Sequence, residues 1–224
     1  MENKSIALDG PVGAGKSTLA REAAKHFGII YVDTGALYRC VALYAMRNSI
    51  DFDDEKSIKD LLPRIKIEMK YDSEGVQRMF LGGEDVTDDI RLPDVSMGAS
   101  TVSAMPAVRD FLLETQQSMA KRYDVIMDGR DIGTVVLPNA GLKIFLYAAP
   151  EIRAKRRYDE LVEKNINTTY EKVLNELNAR DKNDSEREIA PLRPAEDAVK
   201  LDTSFLSLEE SVKALCEIIA GRFV

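Results

Sequence analysis

The sequence predicts an α/β fold, a parallel sheet flanked by helices and carrying a small antiparallel β insert. Three observations point there. Short apolar runs alternate with helical periodicity along most of the chain. A glycine-rich segment, Gly10 to Gly15, separates the first apolar run from the first helix, and between about Pro63 and Ser96 the period changes from helical to strictly alternating.

Ser5-Ile6-Ala7-Leu8-Asp9 is an apolar run closed by glycine and reads as the first strand; Leu19, Ala20, Ala23, Ala24 and Phe27 follow at helical spacing, with Gly28 as the C-terminal stop. Ile29 to Asp33 reads as a second buried strand, and Ala36 to about Asn48 as a helix. In the next stretch Ile65, Ile67, Met69 and Tyr71 alternate with Arg64, Lys66, Glu68 and Lys70; Ser73-Glu74-Gly75 turns into Val76 to Leu81, and Gly82-Gly83 turns again. That pattern is an antiparallel meander, apolar on one face only. Val95 to Met119 is mostly helical, restarted at Pro106, whose missing N–H is not needed in a first turn. Asp124 to Asp128 and Lys143 to Tyr147 are further strands, Glu151 to Asn165 and Tyr170 to about Arg187 helices, Ala198 to Asp202 a last strand and Leu208 to Arg222 a last helix. Five strands therefore belong to the main sheet. With no repeat or low-complexity segment, the 224 residues suit one domain with an insertion.

Composition narrows the function. At 45% apolar and 31% charged the chain can bury a core. Its 31 basic and 38 acidic side chains leave a net charge of −7, which disfavours general nucleic-acid binding and obliges any anion-handling site to gather its basic groups locally. Cys40 and Cys216 form no CxxC pattern and the single His26 cannot complete a zinc site, so a reducing cytoplasm fits. The N-terminus lacks a long apolar segment and no stretch approaches 18 uncharged apolar residues, so neither export nor membrane insertion is expected.

Gly10-Pro11-Val12-Gly13-Ala14-Gly15-Lys16-Ser17, followed by Thr18, satisfies GxxxxGK[ST] between a strand and a helix. Bare backbone N–H groups at a helix N-terminus can lie against a phosphate where side chains would obstruct it. Lys16 can then reach the β/γ phosphates, and the Ser17 hydroxyl can help hold Mg²⁺. This is a P-loop, and it predicts nucleoside triphosphate binding.

Whether the terminal phosphate goes to water or to a second substrate depends on other residues. The base-reading NKxD of a switch GTPase is absent, and Asp72 to Gly75, which matches DxxG, lies in the meander's turn. A kinase needs cations to bring two anions together. Arg153, Arg156 and Arg157, at i, i+3 and i+4, could close over a triphosphate or could form a solvated face with Arg156 paired to Glu160. Arg180, Asp184 and Arg187 at i, i+4 and i+7 present the same two readings. Arg39 and Arg109 lie on helices that otherwise face the core, and Asp128-Gly129-Arg130-Asp131 ends an apolar strand, where ligands of such sheets sit.

The P-loop GPVGAGKST, the segment Asp33-Thr34-Gly35-Ala36-Leu37-Tyr38-Arg39, the run from Asp128 to Val136, the Arg180 to Arg187 helix and Ala190-Pro191-Leu192 together resemble the bacterial cytidylate kinase family over nearly the whole chain. The resemblance implies the P-loop nucleoside-monophosphate kinase fold over residues 1–224: a core (about 1–62, 97–150 and 189–224), a monophosphate-binding insert (about 63–96) and a lid (about 151–188). It implies transfer from ATP to CMP or dCMP with Mg²⁺, by a cytoplasmic monomer. Thr34, Ser100, Arg109 and Asp131 would surround the cytosine, Arg39, Arg130 and Arg187 the acceptor phosphate, and Arg180 with Asp184 the sugar. Thr34 stands where the family often has serine and keeps the hydroxyl; Asn183 and Ser185 stand where relatives can carry further arginines. Asp131 suits cytosine because a carboxylate accepts from the N4 amino group and repels the oxygen uracil has there. Lys16, Arg153 and Arg157 are the expected neutralisers of the transferring phosphoryl, the last two on a mobile lid. The rival readings are a kinase for UMP, AMP or a non-nucleotide alcohol on the same fold, and a P-loop switch or ATPase acting through a protein partner.

Overall fold

A computed structural model describes residues 3–223. In chain order its elements are β1 (Ser5–Asp9), α1 (Lys16–Phe27), β2 (Ile30–Asp33), α2 (Thr34–Arg47), α3 (Glu55–Leu61), β3 (Ile67–Tyr71), β4 (Gln77–Leu81), β5 (Glu84–Asp85), α4 (Pro93–Val102) and α5 (Pro106–Arg122). Then follow β6 (Val125–Gly129), β7 (Leu142–Tyr147), α6 (Pro150–Glu163), α7 (Tyr170–Glu186), β8 (Val199–Asp202) and α8 (Leu208–Phe223). The chain divides into two compact units, one of residues up to Tyr31 together with those from Tyr123 onward, the other Val32 to Arg122.

The five-stranded sheet runs β2-β6-β1-β7-β8. β1 pairs in parallel with β6 on one side and β7 on the other, and β7 pairs in parallel with β8. β1 is thus central and buried on both faces, which is why it reads as an unbroken apolar run rather than an alternating one. Leu8, Ile126, Ile144 and Leu146 meet Leu19, Ala20 and Ala23 of α1 and Leu215 and Ile219 of α8 in one core. Each fully buried side chain of this size contributes about 1.5–3 kcal/mol of transfer free energy. α1 ends at Gly28, at φ 65, whose N–H bonds back to the Ala24 carbonyl. A smaller cluster, Ala154, Val173 and Leu177 with Val12 packed against it, joins α6 and α7.

In the second unit β3, β4 and β5 form an antiparallel sheet in that order. Met79 and Leu81 of β4 are buried while Arg78 and Phe80 are not, the one-faced pattern the alternation predicts. Its core gathers Leu37, Val41, Ile58, Met79, Ile90, Val95, Val102 and Leu112.

Three local features depart from the sequence reading. α2 starts two residues early because the Asp33 side chain accepts the Ala36 N–H at 3.0 Å and caps it. α3 is an additional short helix, capped by Asp54, which accepts from the Ser57 N–H at 3.0 Å and hydroxyl at 2.6 Å. Ile132 to Val136 forms one wide π-type turn. Among the described residues, no helix is long and apolar enough to cross a membrane.

Candidate active site

β1 delivers the chain into the P-loop, and backbone geometry there excludes side chains at defined points. Gly10 sits at φ 155, and a Cβ on it would collide with the carbonyl oxygen of Leu146 on β7. Gly15, at φ 88, is the left-handed residue from which α1 starts. The loop N–H groups and the start of α1 together make an anion seat. Lys16, 6% exposed, folds back so that Nζ donates to the Pro11 carbonyl at 2.8 Å. Burial and then the charge of Arg130 lower its pKa to about 7, against the pull of Asp128, Asp9 and Asp184.

Two carboxylates at the strand ends frame this lysine. Asp128, near the end of β6, accepts from the Ser17 hydroxyl at 2.8 Å and from the Tyr31 hydroxyl at 3.1 Å. Asp9, closing β1, accepts the Ile132 N–H at 2.8 Å and the Gly133 N–H at 2.7 Å, so it anchors the wide turn that follows Asp131. Burial raises the Asp9 pKa to about 6 in spite of those two N–H bonds.

Beyond β6 the first unit assembles a second charged group. Arg130 Nε donates to Asp184 Oδ2 at 2.7 Å, and Arg187 Nη2 donates to Asp131 Oδ1 at 3.3 Å. Arg187 caps α7, its Nε bonding to the Ala190 carbonyl at 2.6 Å. The Leu192 N–H bonds to the Asp184 carbonyl at 2.7 Å and ties the segment after α7 back onto the helix turn that carries Asp184. Arg180 is half-buried on the same helix.

The α6 arginines have three different destinations. Arg153 is buried against the P-loop, with Nη1 donating to the Val12 carbonyl at 2.8 Å and pairing with Asp181 Oδ2 at 2.7 Å. Arg156 donates to the Thr203 carbonyl at 2.7 Å, and Arg157 is exposed and paired with Glu160 at 2.8 Å. Glu160 therefore takes Arg157 and Lys164 rather than Arg156.

The second unit holds the remaining candidates. Asp33 Oδ2 pairs with Arg39 Nη2 at 2.8 Å and stands 3.8 Å from Arg91 Nη2. Burial alone would raise the Asp33 pKa, but the Arg39 and Arg91 charges hold it below the usual carboxylate range. Gly35 leaves room for this pair, since a Cβ there would lie 3.1 Å from Arg39 Nη1. Gln77 of β4 accepts the Asp33 N–H at 2.9 Å and so ties the antiparallel sheet to the start of α2. Thr34 is buried in the first turn of α2. Arg109 is buried, donates to the Ser103 carbonyl at 3.2 Å and lies 5.9 Å from the Tyr38 ring centre; Ser100 accepts through its carbonyl from the Ser103 hydroxyl at 2.9 Å.

Residues 6–221 match the family model described as cytidylate kinase. The chain belongs to the cytidylate kinase family. Among curated relatives, the cytidylate kinase of Caldicellulosiruptor bescii is 50% identical over 218 residues, covering 97% of this chain and 96% of that one. That of Pelotomaculum thermopropionicum is 48% identical over 219 residues, covering 97% of each, and that of Bacillus subtilis 46% identical over 223 residues, covering 99% of each.

Of the two strand-end carboxylates, Asp128 belongs to the Asp128 to Asp131 run that the sequence places at the ligand end of the sheet, whereas Asp9 is not singled out by the motifs. Both had a signal: each is the carboxylate at the end of a buried apolar strand. A hydroxyl and a carboxylate 2.8 Å apart beside a phosphate seat are the hard oxygen donors Mg²⁺ prefers. Among the described residues there is no cluster of three or more potential metal-ligating side chains.

Proposed function

We propose that this protein transfers the γ-phosphoryl group of ATP to CMP or dCMP, giving ADP and CDP or dCDP, as a monomer in the cytoplasm. The observation that carries the reading is that Asp128, which accepts from the Ser17 hydroxyl of the P-loop at 2.8 Å, stands two residues before Arg130, itself paired with Asp184 at 2.7 Å, so the donor seat adjoins the charged group after β6. Both cysteines are free thiols, which suits a reducing compartment.

In this reading residues 10–18 seat the triphosphate, its oxygens meeting loop N–H groups other than those of Pro11, which has none, and Val12, whose N–H is taken by Asp181, and Lys16 leaves the Pro11 carbonyl to meet it. Arg39, Arg130 and Arg187 take the acceptor phosphate, Arg180 and Asp184 the sugar, and Thr34, Ser100, Arg109 and Asp131 the base. The paired carboxylates Asp33, Asp184 and Asp131 hold three of these arginines in fixed orientation before substrate arrives. Ser17 and Asp128 would hold Mg²⁺, which would supply positive charge to neutralise the phosphates. The attacking oxygen belongs to a phosphate monoester whose second pKa is about 6, so it is already ionised and no general base is needed. Positioning two anions in line can supply roughly 7–11 kcal/mol of barrier reduction. Arg153 and Arg157 on α6 are proposed to complete the neutralisation of the transferring group.

The test is transfer of label. With γ-³²P-ATP and CMP, the purified protein should move radioactivity into CDP; label released only as inorganic phosphate would favour an ATPase or switch.

A further inference from the structure

We infer that Asp181 is a positioning residue that aims Arg153 at the triphosphate and fixes the tip of the P-loop. The inference rests on the kinase reading only for the identity of the acceptor. The Val12 peptide is held from both sides: its N–H donates to Asp181 Oδ1 at 3.3 Å, and its carbonyl accepts from Arg153 Nη1 at 2.8 Å. The two clamping side chains are themselves paired, Arg153 Nη1 to Asp181 Oδ2 at 2.7 Å. Arg153 Nε donates in addition to the Ala148 carbonyl at 2.8 Å, where β7 passes into α6. With 3% of its surface exposed, Arg153 has little rotamer freedom left.

The hydrogen-bonding pattern has a direction. Nε and Nη1 are engaged by the protein, whereas Nη2 donates to none of the described residues. A guanidinium is a rigid planar fork, so fixing two of its nitrogens fixes where the third points. Such an arrangement leaves two N–H donors and an intact positive charge for a phosphate while the entropy of ordering the side chain has already been lost. Apolar packing supports it: Val12 sits against Ala154, Val173 and Leu177, and a Cβ at Gly13 would lie 3.5 Å from Arg153 Cβ. α7 therefore meets the P-loop through the Asp181 carboxylate as well as through Val173 and Leu177, and that carboxylate belongs to neither the acceptor-binding set nor the P-loop motif.

The experiment is a double-mutant cycle with Asp181→Asn, Arg153→Lys and the combination, read in kcat, in the KM for CMP and in ATP affinity. Asp181→Asn keeps an oxygen for the Val12 N–H and removes the charge that orients Arg153. It is expected to lower kcat by about 10- to 100-fold, the scale of a lost charge-assisted hydrogen bond, with the KM for CMP within about two-fold. In the Arg153→Lys background the same change should alter kcat by less than about two-fold. An equal loss in both backgrounds, or wild-type kcat in Asp181→Asn, would overturn the inference. Should the wild-type protein leave CMP untouched, the kinase reading fails by itself, and the cycle is then read in ATP affinity. Non-additive losses there sustain the role of Asp181, and additive ones overturn it. Arg153→Met, which keeps the stem without the charge, replaces Arg153→Lys if that variant does not fold.

Discussion

The Ser17 hydroxyl donates to Asp128 Oδ2 at 2.8 Å, joining the first turn of α1 to the end of β6. Neither residue comes near the other in sequence; the parallel register that sets Leu8 against Asp128 brings them together. Asp128→Asn should raise the Mg²⁺ concentration needed for half-maximal activity by roughly 10- to 100-fold. Tyr31→Phe, which removes one bond to the same carboxylate, should have a smaller effect in the same direction. Magnesium titrations of initial rate check both, and an unchanged curve for Asp128→Asn would remove it from the metal site.

Lys16 gives a pH signature. Its pKa near 7 in the ligand-free site means that the side chain is charged at pH 6 and largely neutral at pH 8. Bound phosphates favour the charged form, so ATP binding at pH 8 should take up about one proton, and binding at pH 6 very little on this lysine's account. Calorimetry in buffers of different ionisation enthalpy measures the uptake. Lys16→Arg, always charged, should abolish the difference between the two pH values.

Asp9 makes a structural prediction with a functional readout. Removing its carboxylate leaves the Ile132 and Gly133 N–H groups buried and unpaired. At about 1–3 kcal/mol each, Asp9→Ala should lose roughly 2–6 kcal/mol of stability, measurable by urea denaturation. The turn it anchors follows Asp131, so the surviving folded protein should also bind the acceptor more weakly. Wild-type stability in this variant would show that the turn is held by other contacts.

Asp131 should set the choice of base. It is buried and bonded to Arg187 at 3.3 Å, which holds the carboxylate in one orientation. Replacing Asp131 by Ala should reduce the ratio of kcat/KM for CMP over UMP by about 1–3 kcal/mol, or roughly 5- to 150-fold. Steady-state kinetics with both acceptors tests this, and an unchanged ratio would assign the selectivity elsewhere.

Much of this architecture was legible in the residues because local rules sufficed. The strand–glycine–helix passage from Ser5 to Phe27, the alternation around Met69 and the stop at Gly28 each depend on neighbours in sequence. What local rules miss is what distant contacts decide. Arg153, Arg156 and Arg157 have similar surroundings in sequence, yet one is buried against Val12, one bonds to the Thr203 carbonyl and one pairs with Glu160 in solvent. Helical spacing places them near one another but says nothing of which turn meets another element. Asp9 was hidden for a related reason: its partners lie more than 120 residues away, in a wide turn whose form depends on that carboxylate. The pairing of Arg130 with Asp184 joins the end of β6 to α7 across 54 residues, and only the fold supplies it.

The most direct measurement is a coupled ADP-release assay with ATP and a panel of CMP, dCMP, UMP and AMP. Saturable ADP release is expected with CMP and dCMP at kcat/KM values well above those for UMP and AMP, and little release when no acceptor is present. Release that is equally fast without an acceptor, or that favours AMP over CMP, would contradict pyrimidine monophosphate phosphorylation by this chain.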